Sequence, residues 1–238
     1  MPGIDPESAQ PPRLRTVRSF GPGRGRVTRA QQRAYQEDFP RYALPFRPRP
    51  IEPTACFGRE APMILEIGFG MGETTAAIAA AHPELDFIAV EVFAAGIGSL
   101  AMRLARLHVT NVRIIERDAV EVVRDMLGPE ALAGAHIFFP DPWPKARHHK
   151  RRLIAPGFVA NLAGRLRAGG FVHCATDWQH YAEQMLEVLT QEPSLRNLHP
   201  GYAPAPANPL SERLQTKFHA RGHKLGHAVW DLVFERVG

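Results

Sequence analysis

Glu66-Ile67-Gly68-Phe69-Gly70-Met71-Gly72-Glu73 is the stretch on which the fold turns. A short apolar run, Met63 to Ile67, leads into it and reads as a β-strand. An alanine-rich run, Glu73 to Ala81, leads out of it and reads as a helix ended by His82-Pro83. Gly68, Gly70 and Gly72 therefore fall where a strand turns into a helix. Lacking Cβ, they permit a tight turn and let a ligand approach the backbone closely. The dinucleotide fingerprint needs a further glycine at position 73, where this chain has Glu. No Gly-Lys-Ser or Gly-Lys-Thr follows, so the phosphate-binding P-loop is excluded as well.

The same alternation continues outward. Strands are predicted over residues 86–92, 112–115, 136–139 and 171–175, with a final strand over 227–236. Helices are predicted over 94–107, 120–127, 158–166 and 177–190, the third of them stopped by Gly169-Gly170. Residues 200–209 hold four prolines and read as a loop. Repeated strand–helix units predict an α/β fold: a mainly parallel sheet with helices on both faces. Ligands in such sheets bind beyond the carboxyl ends of the strands, where the glycine turn lies.

Glu-x-Gly-x-Gly-x-Gly resembles the first motif of class I methyltransferases, and two later acids fit that reading. Glu91 stands near the end of the second strand, where a carboxylate can accept from two ribose hydroxyls. Asp118 follows the third strand, where it can accept from an adenine amino group. The donor S-adenosylmethionine carries a cationic sulfonium, which acidic surroundings suit.

Residues 139–153, Phe-Pro-Asp-Pro-Trp-Pro-Lys-Ala-Arg-His-His-Lys-Arg-Arg-Leu, are the second informative stretch. Alternating prolines stiffen the chain around Asp141 and Trp143. A stiff loop loses less entropy on binding. Lys145 to Arg152 then brings five Lys or Arg, two His and no acid. Such a run beside a ligand crevice suits phosphate contact. The His148-His149 pair has no second ligand pair nearby, so no metal is expected.

The first sixty residues are of another kind. Between Arg13 and Arg49 there are ten arginines against only Glu37 and Asp38. Residues 1–17 are expected to be a disordered tail, 18–60 a basic Pro/Arg-rich arm, and 61–238 the α/β domain. Within the arm, residues 28–39 suit a short helix capped by Thr28, and residues 45–53, with four prolines, an extended segment. The net charge is +5, which points weakly to a polyanion. Two cysteines, Cys56 and Cys174, cannot build a disulfide framework and suit a reducing, cytoplasmic setting. No run reaches the ~18 apolar residues of a membrane span, and residues 1–18 lack the apolar core of a secretory signal.

From Arg18 to Arg236 the chain resembles the tRNA (guanine-N7-)-methyltransferase family. The resemblance rests on Glu66 to Gly72, residues 139–153, Ala175-Thr176-Asp177-Trp178 with Tyr181-Ala182, Thr216-Lys217-Phe218 with Arg221-Gly222, Leu225-Gly226-His227, and Val229-Trp230-Asp231-Leu232. It implies a Rossmann-like class I methyltransferase fold with a seven-stranded sheet. It also implies methylation of a guanine in the tRNA variable loop, with no membrane and no obligatory protein partner. By motif match, Glu66, Gly68, Gly70, Gly72, Glu91, Asp118 and Asp141 would hold S-adenosylmethionine, and Asp141 would be catalytic. Lys145, Asp177, Thr216, Lys217, Phe218 and His219 match substrate positions, and Arg147, His148, His149, Lys150, Arg151 and Arg152 match the RNA-contacting run. Two residues depart from the pattern. His219 stands where the family usually has Glu, and Ala146 where it often has Lys.

The chemistry leaves roles open at this stage. Asp141 or Asp177 could stabilise developing positive charge, or could accept from the guanine amide and amino group. Two competing readings also remain: methylation of an exocyclic amine, suggested by Asp-Pro-Trp, and an RNA-binding protein that kept the fold without catalysis.

Overall fold

The computed structural model describes residues 20–21, 27–204 and 228–238. Its centre is β1 (Met63–Ile67), buried at every position. On one side of it lie β2 (Asp86–Glu91) and β3 (Val112–Glu116). On the other lie β4 (Leu132–Phe138), β5 (Leu166–Thr176), β6 (Leu195–Asn197) and β7 (Trp230–Arg236). The seven strands run in the order β3-β2-β1-β4-β5-β7-β6. The first five in that order are parallel, and β7 is antiparallel to both neighbours. This is the mainly parallel α/β architecture expected of a class I methyltransferase.

Apolar residues on both sheet faces explain why the strands are hydrophobic throughout. One face buries Leu65, Val90 and Ile137 beneath α5 (Ala119–Asp125), α6 (Pro156–Ala163) and α7 (Gln179–Gln191). The other buries Ile64, Phe87 and Ile114 beneath α3 (Glu73–Ala81) and α4 (Ala94–Arg106).

The segment before the sheet lies against this second layer. Thr28 caps α1 (Arg29–Glu37) in a reciprocal box with Gln31. Helix α1 packs on α4 at Gly98, where a Cβ would come within 2.2 Å of the Gln31 carbonyl oxygen. Beyond it, Tyr42 and Leu44 exchange backbone hydrogen bonds with Ile114 of β3. A short α2 (Pro53–Phe57) closes the segment.

Several boundaries differ from the sequence expectation: β4 starts at Leu132 rather than residue 136, and β7 at Trp230 rather than residue 227. Helix α6 starts earlier, with Pro156 at its first turn, and Gly164 ends it, so Leu166 is already in β5. Gly169 and Gly170 do not stop a helix. They lie inside β5, where Gly169 has φ +74 and the register against β4 shifts. The short strand β6 and helix α2 carry too few residues for periodicity to reveal them.

Candidate active site

The glycine turn opens a cleft of about 360 Å³ at the carboxyl ends of β1 to β4. Gly68, Gly70 and Gly72 all have positive φ, at 73°, 57° and 69°. A Cβ at Gly68 or Gly70 would meet no atom within 4 Å. At those two positions glycine is required by backbone conformation, and the surface above is open to a ligand. The first turn of α4 closes the far side. Gly96 lies so near that a Cβ there would sit 2.2 Å from the Gly70 carbonyl oxygen.

Carboxylates line this cleft. Glu91 Oε2 accepts from Gly70 N at 3.1 Å, and its Oε1 accepts from Val92 N at 2.7 Å. Burial raises its pKa, these amides pull it back, and nearby Asp141 raises it further. Glu66 lies at the base of the turn, 3% exposed. Its Oε1 accepts from Thr75 Oγ1 at 3.0 Å, and its Oε2 has no partner among the described residues. Burial pushes its pKa up to about 7, with Thr75 opposing. Asp118 caps α5 by accepting from Val120 N at 3.0 Å while also facing the cleft. The capping and ligand-facing readings of Asp118 are compatible, because one oxygen suffices for the cap.

The loop after β4 forms the mouth. Phe139 N donates to Ala175 O at 2.7 Å, so this loop leaves the sheet beside the end of β5, where Asp177 precedes α7. Phe139 and Trp143 have positive φ, at 51° and 45°. For residues with a Cβ each such conformation costs ~1–3 kcal/mol and persists only where surroundings enforce it. Between them stands Asp141, whose Oδ2 accepts from Gly21 N at 2.8 Å. Phe20 lines the cleft and meets Phe93 edge-on at 6.3 Å.

Residues Ala146–Arg151 then form a 3-10 turn. Arg147 and Lys150 are exposed on it, as is Lys145 just before it. Arg151 lies 4.8 Å from the Trp143 ring, and His148 meets that ring edge-on at 5.8 Å. Arg152 turns inward and is 3% exposed.

Comparison with known proteins bears on this geometry. A family described as putative methyltransferase matches residues 60–232. The tRNA (guanine-N(7)-)-methyltransferase of Bordetella pertussis is 57% identical over 221 residues, covering 93% of this chain and 85% of that one. The enzyme of the same name from Aromatoleum aromaticum is 57% identical over 225 residues, covering 94% and 85%. This chain belongs to the tRNA (guanine-N7-)-methyltransferase family. Among solved structures, the 16S rRNA methyltransferase KamB aligns with a TM-score of 0.53 at 14% identity, covering 76% of this chain and 91% of that one. An rRNA methylase from Streptococcus thermophilus aligns at 0.51 and 14%, covering 75% and 88%. These two likenesses concern the fold alone.

All the family-matched cofactor positions gather in one cleft: Glu66, Gly68, Gly70, Gly72, Glu91, Asp118 and Asp141. Lys145, Asp177 and the basic turn stand outside its walls. Thr216, Lys217, Phe218 and His219 lie outside the described residues. Phe20, Gly21 and Phe93 at the lip were missed from the sequence. No periodicity or motif marks them, because only the fold brings them to the glycine turn. Among the described residues no cluster of His, Cys, Asp or Glu is arranged to hold a metal, and no helix is long and apolar enough to cross a membrane.

Proposed function

We infer that this protein transfers a methyl group from S-adenosylmethionine to N7 of a guanine in the variable loop of tRNA, acting in the cytoplasm. The observation that carries the reading is a carboxylate-lined cleft at the glycine turn, with Asp141 at its mouth and a basic turn directly beyond. Identity of 57% to enzymes named for this reaction supports the choice of atom and of RNA.

The residues fit the proposed donor. The buried Glu66 Oε2, without a partner among the described residues, suits a cationic ligand, and the open positions above Gly68 and Gly70 leave room for one. Glu91 retains acceptor capacity for ribose hydroxyls, and Asp118 for an adenine amino group. Bound there, S-adenosylmethionine supplies an electrophilic methyl group.

Guanine N7 carries an in-plane lone pair and no proton, so the protein needs no general base. Its contribution is placement, which can supply on the order of 7–11 kcal/mol. The base gains positive charge as it reacts, and Asp141 is the carboxylate at the mouth to face it. Lys145, Arg147, His148, His149, Lys150 and Arg151 would hold the RNA backbone, with Asp177 and residues 216–219 at the base itself. Presenting the guanine requires it to leave its stack.

Incubation with methyl-labelled S-adenosylmethionine and unmodified tRNA tests this. Chain cleavage specific for 7-methylguanosine should release the label at one variable-loop position. Label on an exocyclic amine, or none at all, would overturn the reading.

A further inference from the structure

Arg152 closes the basic run in sequence but not in space. Its Nε donates to the Pro142 carbonyl oxygen at 2.9 Å. Its Nη1 donates to Gln184 Oε1 at 2.6 Å and lies 3.0 Å from His180 Nδ1. Arginine has no acceptor, so that His180 nitrogen must accept and its proton must sit on Nε2. The guanidinium centre lies 4.8 Å from the Tyr181 ring. Every one of these partners is neutral, and no carboxylate pairs with Arg152 among the described residues. A phosphate cannot reach a side chain 3% exposed without displacing the wall around it.

What Arg152 grips explains its burial better than RNA does. Pro142 lies between Asp141 and Trp143, inside the loop whose Phe139 and Trp143 hold positive φ. Proline has no N–H, so its carbonyl is the one backbone group by which that point can be tied. The tie runs to His180, Tyr181 and Gln184 on α7, the helix that begins just after Asp177. The anchor is itself braced, since Gln184 Nε2 donates to Ile154 O at 3.2 Å and Ile154 N donates to Tyr181 Oη at 3.1 Å.

We propose that Arg152 is a positioning residue, a buried clamp that holds the strained Asp141 loop against α7 and fixes Asp141 relative to Asp177. It is not an RNA contact. The proposal rests on reading that loop as the guanine site.

The test uses the full chain and compares Arg152→Gln, Gln184→Ala and Arg151→Gln with the wild type. Arg152→Gln should lower kcat by ~10–100-fold, the scale of a small misplacement near the chemistry. The slope of log tRNA affinity against log salt should not change. Arg151→Gln should flatten that slope by ~0.7–0.9, one phosphate contact. Arg152→Lys should not restore kcat, because an ammonium lacks the planar fork that reaches Pro142 and Gln184 together. Gln184→Ala should give a smaller kcat loss with an unchanged slope, and it decides the matter if Arg152→Gln does not fold. Fluorine NMR of 5-fluorotryptophan protein adds a readout independent of activity. The Trp143 resonance, assigned through Trp143→Phe, should shift or broaden in Arg152→Gln, while those of Trp178 and Trp230 stay. Normal kcat in the folded variants, a slope flattened by one contact in Arg152→Gln, or an unmoved Trp143 resonance would overturn the clamp. An inactive wild type would remove the proposed function, and the Trp143 resonance would still decide whether Arg152 holds the loop.

Discussion

The two walls of the cleft are built by opposite means. On the glycine side, strain is absorbed by residues without a Cβ, and Glu66 and Glu91 are buried, Glu91 held by backbone amides and Glu66 by the Thr75 hydroxyl. On the proline side, positive φ falls on Phe139 and Trp143, and the carboxylate between them is exposed. The first wall is stable wherever the sheet forms. The second needs outside support, and Arg152 supplies it through the Pro142 carbonyl. A small, invariant ligand suits a wall made once by the sheet. A large polymer that must enter and leave suits a loop held by side chains.

The comparison predicts that damage to the proline side shows in turnover. Asp141→Ala should lower kcat by ~10²–10³-fold, the scale for losing one preorganised electrostatic contact, with tRNA affinity changed by less than about threefold. Steady-state kinetics alongside filter binding measures both. Normal turnover would move the chemistry away from Asp141. Neutralising Arg147, Lys150 and Arg151 together should act on binding instead. The salt slope of tRNA affinity should flatten by ~2–3, with kcat at saturating tRNA nearly kept. An unchanged slope would remove phosphate contact from the 3-10 turn.

The glycine side should reveal itself by pH. Burial raises the Glu66 carboxyl from about 4.5 to about 7. The folded protein therefore holds this proton more tightly than the unfolded chain. The stabilisation is complete below the unfolded value and is lost as pH rises through 7. Glu66→Gln, having no such proton, should be more stable than wild type at pH 8 by on the order of 3 kcal/mol and nearly equal at pH 4.5. Urea unfolding of ligand-free protein at the two pH values checks this. Equal stabilities at pH 8 would mean that Glu66 ionises freely.

The two walls also differ in how far the sequence revealed them. Strand β1 and helix α3 were legible to the residue, because an apolar run, a glycine turn and an alanine run each carry a strong local preference. Glu91 and Asp118 could be placed by counting strands. Arg152 could not. Its neighbours Lys150 and Arg151 are chemically alike, and only the 3-10 turn decides which of the three faces inward. Gly169-Gly170 misled for a related reason. A glycine pair reads as a stop, whereas here it lets a strand shift register. Of the inward partners, Tyr181 belongs to a stretch that carries the family resemblance, but nothing in it points to Arg152, and His180 and Gln184 carry no motif.

The backbone exchange between Tyr42, Leu44 and Ile114 has a consequence beyond the site. Strand β3 is the last in its direction, and a parallel strand left bare offers a row of amides and carbonyls to any extended chain that passes. The basic segment occupies part of that row with its own backbone. A segment whose charge suits a nucleic acid thus also guards the sheet against templated self-association. Shortening the chain past residue 60 would then cost solubility along with whatever the arginines do.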